Sequence, residues 1–104
     1  MSALPVMRLE DLWGGELTPC QVGSAKVFLV RFGQAVFAYR DRCPHQGVPL
    51  SEGMLEGKVL TCRAHHHQFD VETGAGVNPA DAMLCRHAVR IEDGLVLVEE
   101  AGHE

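Results

Sequence analysis

Two short segments carry most of the chemistry open to this chain. Cys43-Pro44-His45 and Cys62-Arg63-Ala64-His65 each offer one thiol and one imidazole, and sixteen residues separate His45 from Cys62. Structural zinc sites more often pair C-x2–4-C with H-x3–5-H. Here each pair mixes ligand types, and the first spacing is a single residue. Two thiolates and two imidazoles suit a [2Fe–2S] centre in which Cys43 and Cys62 bind one iron and His45 and His65 the other. A zinc module is the alternative reading of the same four residues. No nucleophile or acid–base motif accompanies them, and four protein ligands leave no coordination position for a substrate. The pattern is that of a carrier and not of an enzyme.

Ligands on two separate loops need rigid elements to bring them together. The chain has 104 residues and 11.4 kDa, room for one domain spanning 1–104 with one modest core. Eleven glycines and five prolines punctuate short runs rich in Val, Phe, Leu and Ile. Residues 26–32 and 35–40 flank Gly33-Gln34, and residues 86–92 and 95–99 flank Asp93-Gly94, both hairpin signals. Residues 58–61 after Gly57 form a further strand, and residues 10–13 one helical turn. Nothing sustains a helical apolar period over three turns. The expected fold is all-β, an antiparallel sandwich or small barrel. Residues 41–53 and 62–68 resist strand assignment, and they are the loops that hold the cysteine–histidine pairs.

Charge and hydropathy exclude several classes. Nine Lys and Arg stand against fourteen Asp and Glu, for a formal net charge of −5, which lacks the basic footprint of a nucleic-acid binder. The longest apolar runs, Val27-Phe28-Leu29-Val30 and Leu95-Val96-Leu97-Val98, are too short to span a bilayer. No export signal is visible, so a cytoplasmic location is expected. In that reducing compartment Cys20 and Cys85 read as buried free thiols and not as a disulfide.

The chain resembles the Rieske-type ferredoxins, whose C-x-H and C-x2-H loops match Cys43, His45, Cys62 and His65 in order and spacing. The stretches CPHQ, LSEG, EGKVLTCRAH and TGAGVNPAD are similar to the ferredoxin components of bacterial toluene and related aromatic monooxygenases. The resemblance implies a Rieske iron–sulfur domain with two cluster-binding loops and one [2Fe–2S] cluster per chain. It implies a carrier taking electrons from an NADH-dependent flavin and iron–sulfur oxidoreductase to a diiron hydroxylase. Ferredoxins of ring-hydroxylating dioxygenases share the ligand pattern and are the second possibility.

With two thiolates the oxidised cluster is formally neutral, whereas four would leave it dianionic, so the mixed set raises the potential above that of plant-type ferredoxins. Measured against respiratory Rieske proteins, Val48 and Ala64 occupy the positions of their loop disulfide, and His67 and Phe69 those of their Ser and Tyr hydroxyls. Losing hydrogen bonds to sulfur destabilises the reduced, more negative state.

Other residues carry plainer expectations. His66 and His67 read as partner contacts or solvated loop, and Arg63 as a steering charge or a surface ion pair. Trp13 reads as a packing anchor, and His87 as structural or exposed. Glu99, Glu100 and Glu104 read as a solvated tail. Gly47, Gly53, Gly74 and Gly76 read as turn positions of positive φ. The histidine ligands are expected nearer solvent than the cysteines, among Pro44, Gln46, His66, His67 and Pro79. Voltammetry of the holoprotein is expected to give a midpoint of about −150 mV, and a value above about 0 mV contradicts the argument.

Overall fold

Strand Ala25–Phe32 contains four consecutive buried residues, Val27 to Val30, a pattern that arises when both faces of a strand are covered. In the computed structural model, which describes residues 3–43, 48–63, 67–78 and 83–103, this is the case. Phe28 and Val30 face one hydrophobic cluster, together with Tyr39, Leu50, Leu60, Phe69, Val71 and Leu84. Val27 and Leu29 face another, with Leu12, Val22, Ala38, Val96 and Val98.

The first layer is a six-stranded sheet built from β1 (Ala3–Arg8), β2 (Thr18–Val22), β3 (Ala25–Phe32), β4 (Ala35–Arg40), β9 (Arg86–Glu92) and β10 (Leu95–His103). Its order is β1-β10-β9-β4-β3-β2, antiparallel throughout. The edge strands β1 and β2 approach each other, so the sheet curls towards a barrel. Both edges contain a proline, Pro5 and Pro19, where a missing amide donor is tolerated. Between β4 and β9 the chain inserts a second sheet, β5 (Met54–Glu56), β6 (Val59–Thr61), β7 (Gln68–Asp70) and β8 (Gly76–Asn78), in the order β5-β6-β7-β8. Leu55, Leu60 and Phe69 are paired across neighbouring strands and turn towards the cluster that β3 and β4 cover from the other side.

The all-β expectation holds, and both anticipated hairpins form: Gly33 has φ +62°, and Asp93 and Gly94 have φ +51° and +76° at the tight β9–β10 turn. The helical turn is a 3-10 turn over Leu9–Asp11, with a second at Leu50–Glu52.

Three expectations require correction. Trp13 is 72 % exposed; its neighbour Leu12 is the anchor, because Arg31 Nη1 donates to the Leu9 and Leu12 carbonyls (2.9 and 3.2 Å) and fixes the turn with Leu12 inward. Glu99 and Glu100 are not in a tail, since β10 runs on to His103 after a register shift between Val98 and Gly102; Glu104 lies outside the described residues. In that shift, buried His87 donates from Nδ1 to the Glu99 carbonyl (2.8 Å), and the Glu100 carboxylate accepts from the amide and hydroxyl of Ser24. Gly53 has φ −82° and Gly76 is a strand residue, so of the four glycines Gly74 alone, among the described residues, has positive φ (+83°); Gly47 lies outside them.

Among the described residues no helix is long and apolar enough to cross a membrane. Leu29→Ala removes a fully buried side chain from the cluster that contains neither Cys43 nor Cys62. Denaturant unfolding is expected to show a loss of about 2–5 kcal/mol, with the visible spectrum of the folded holoprotein unchanged.

Candidate metal centre

Strand β4 leads directly into the first cysteine segment. The Asp41 amide donates to the Lys26 carbonyl (2.9 Å), and the Asp41 carboxylate accepts from the Ser51 amide and hydroxyl, both at 2.7 Å. One carboxylate thereby straps the start of the loop to its end. Inside that strap, the Cys43 amide donates to the Val48 carbonyl (2.8 Å). The second segment follows β6, where Thr61 is still paired with Gln68. There the Cys62 amide donates to the His67 carbonyl, also at 2.8 Å. Each cysteine thus closes its loop with the same bond, to the carbonyl five residues on.

Neither thiol is in a disulfide and both are sealed from solvent, Cys43 at 1 % exposure and Cys62 at 0 %. They belong to one apolar cluster with Leu50, Leu60 and Phe69. Burial of two cysteine side chains in one dry cluster, each at the mouth of a closed loop, fits the sulfur half of a mixed-ligand iron–sulfur centre. His45 and His65 lie outside the described residues, as do Pro44, Gln46, Ala64, His66 and Pro79. The expectation of exposed histidines therefore falls outside them too. His67 is half-buried and contributes its main-chain oxygen to the second loop. Arg63 pairs with Glu52 (2.7 Å), an exposed bridge between the two cysteine segments worth little by itself.

Gly53 has a role that turn chemistry does not explain. A Cβ there would fall against the main-chain oxygen of Thr61, the residue before Cys62. The close approach of the first loop's end to the second loop's beginning requires glycine at this position. Gly74 meets the Tyr39 ring in the same way, with a Cβ 3.1 Å from Cε1, and also needs positive φ. Tyr39 packs at a tilt against Phe28 (centroids 5.7 Å apart, planes at 37°), and burial pushes its hydroxyl up to about 12.

The other two cysteines stay outside the site. Cys20 and Cys85 are free, as expected, but half-buried instead of buried. Burial, and to a lesser degree the Asp41 carboxylate, pushes the Cys20 thiol from 9.0 up to about 11, so it is not a competing thiolate near neutrality. The Asp41 strap, the Gly53 approach and the two closing carbonyls are absent from the sequence reading. The spacing of Asp41 and Ser51 flanking the first loop is a trace of the strap, but nothing in residue type distinguishes a carboxylate that clamps from one that is merely solvated.

Two layers of short antiparallel strands presenting paired cysteine loops define a small iron–sulfur domain. Residues 2–88 match the family described as Rieske [2Fe-2S] domain, and the chain belongs to that family. Its cofactor is one Rieske-type [2Fe–2S] cluster, which displaces the zinc reading. The chain is 45 % identical over 94 residues to the ferredoxin component of the alkene monooxygenase system of Xanthobacter autotrophicus, covering 89 % of this chain and 77 % of that one. It is 37 % identical over 93 residues to the biphenyl 2,3-dioxygenase ferredoxin component of Rhodococcus jostii, covering 88 % and 87 %. A solved complex of reduced oxygenase and oxidised ferredoxin in carbazole 1,9a-dioxygenase contains a similar chain, with TM-score 0.86, 31 % identity and coverage of 98 % and 96 %. The ferredoxin of carbazole 1,9a-dioxygenase from Nocardioides aromaticivorans superposes with TM-score 0.87 at 27 % identity, covering 97 % and 100 %.

Gly53→Ala is expected to destabilise the protein by about 1–3 kcal/mol through overpacking, and to lower the iron bound per chain, measured by metal analysis beside thermal unfolding. The Cys20 thiol sets a pH dependence. The unfolded chain releases its proton above about 9, while the folded chain keeps it to about 11. The resulting stability is complete below the lower value and is lost as pH rises through this window. Tm is expected to fall there, and Cys20→Ala to flatten part of the fall.

Proposed function

We propose that Cys43 and Cys62, through sulfur, and His45 and His65, through imidazole nitrogen, hold the cluster in a single-domain electron carrier serving a multicomponent oxygenase. The observation that carries this reading is the pair of identically closed loops delivering two buried thiols to one apolar cluster. Bound there, the cluster accepts and releases one electron at a time. The chain supplies what such a carrier needs. Leu50, Leu60 and Phe69 exclude water from the sulfur side. The Asp41–Ser51 strap and the loop-closing amide bonds hold the ligand segments against displacement when the charge changes.

The electrons come from an NADH-dependent flavin and iron–sulfur oxidoreductase and pass to the diiron hydroxylase of a hydrocarbon monooxygenase, of the toluene-oxidising kind, in the cytoplasm. Support for a monooxygenase partner comes from the 45 % identity to an alkene monooxygenase ferredoxin, against 37 % for that of a biphenyl dioxygenase. The likeness to a chain solved with the oxygenase of carbazole 1,9a-dioxygenase favours the second reading, a ring-hydroxylating dioxygenase partner.

Reconstituted turnover separates the two. With NADH and a flavin reductase present, the holoprotein is expected to support hydrocarbon oxidation by a diiron hydroxylase and to give at most about a tenth of that rate with a dioxygenase terminal component, a difference of about 1.4 kcal/mol in barrier. The opposite order would transfer the protein to dioxygenase systems.

A further inference from the structure

The nine cationic side chains of this acidic chain are not evenly employed. Arg8, Lys58, Arg63 and Arg90 form ion pairs with Glu10, Glu72, Glu52 and Glu92. Arg31 donates to main-chain carbonyls, and Arg86 lies over the Phe37 ring. The remaining three, Lys26, Arg40 and Arg42, are exposed and make no ion pair among the described residues. All three line one concavity of about 410 Å³, with Ser24, Asp41 and Pro49.

Its position matters as much as its charge. Arg42 directly precedes Cys43, and Pro49 directly follows Val48, whose carbonyl closes the first loop, so both ends of that loop form part of the wall. The wall contains one carboxylate, Asp41, which accepts from Ser51, and a second, Glu100, accepts from the wall residue Ser24. The surface remains net positive on a molecule of net charge −5.

The geometry points to a docking surface, formed by Lys26, Arg40 and Arg42, for a carboxylate-rich patch on a protein that exchanges electrons with this one. The inference rests on the electron-carrier reading and adds where the partner sits and what its surface must carry. Unpaired cations beside the first ligand loop raise the encounter rate with an acidic surface and orient it towards the cluster end. The overall negative charge disfavours approach to the rest of the molecule.

The first test uses a small probe of known charge. Ferricyanide takes one electron from the reduced holoprotein and becomes ferrocyanide, and the rate is read by stopped flow. At low ionic strength, Lys26→Glu/Arg40→Glu is expected to react about ten-fold more slowly than wild type. Added salt should slow the wild type and narrow the gap. In reconstituted oxygenase turnover, the same variant should raise the KM for the ferredoxin with kcat unchanged, and its visible spectrum should match wild type. Arg8→Glu/Arg90→Glu, towards the other end of the sheet, changes the net charge equally and should leave both readouts close to wild type.

Equal rates and salt slopes for wild type and Lys26→Glu/Arg40→Glu would overturn the inference. Equal slowing by the control pair would overturn it too, by assigning the effect to net charge. Loss of the difference on adding inorganic phosphate at constant ionic strength would assign the concavity to a small anion, again against docking. Failure of the carrier reading looks different: the wild-type holoprotein itself would then reduce ferricyanide yet support no oxygenase.

Discussion

Burying two thiols in one apolar cluster, from loops that belong to different strand connections, is the constraint from which the rest of this molecule follows. An amide left unpaired beside a buried sulfur would carry the full penalty of desolvation. Each cysteine amide is instead turned back onto its own loop, onto Val48 or His67. That solution needs the two loops to arrive from a common wall, which explains why β3 and β4 are covered on both faces. It also needs the loops to pass within contact of each other, which is why Gly53 has no side chain where Thr61 comes closest. The small second sheet exists to present these loops; its strands of three residues could not be stable by themselves.

How much of this was legible in the chain depends on the range of the interaction. The Gly33 and Asp93-Gly94 hairpins are local and could be read directly, as could the cysteine–histidine spacing. Strands β5, β7 and β8 are too short for alternation to register, and β2 has a proline that argues against a strand unless its edge position is known. β10 outruns its apolar stretch because pairing with β9 resumes after a register shift, held by a bond from His87 that no pattern in the sequence announces. Trp13 misleads for a related reason. Size and aromaticity suggest a core anchor, but Arg31 binds the carbonyls on either side of the turn and selects Leu12 for the interior.

Charge is organised on the same principle as packing. Among the described residues four ion pairs on the surface neutralise cations, and one of them, Arg63–Glu52, bridges the two cysteine segments. Asp41 holds the first loop through Ser51, and burial, with a smaller contribution from the same carboxylate, raises the Cys20 thiol so that this spare thiol on β2 stays neutral. The acidic balance and the cationic concavity are therefore complementary parts of one surface, and membership of the Rieske [2Fe-2S] domain family supplies the redox group they surround.

The central claim is unlike coordination of the two irons, by Cys43 and Cys62 on one side and His45 and His65 on the other. Electron paramagnetic resonance of the reduced holoprotein, with nitrogen hyperfine detection, tests it most directly. The account predicts an average g value below that of an all-cysteine [2Fe–2S] cluster and couplings from two imidazole nitrogens that disappear when either histidine is replaced. A spectrum of the all-cysteine type without nitrogen coupling, or a purified chain that binds no iron, would contradict it.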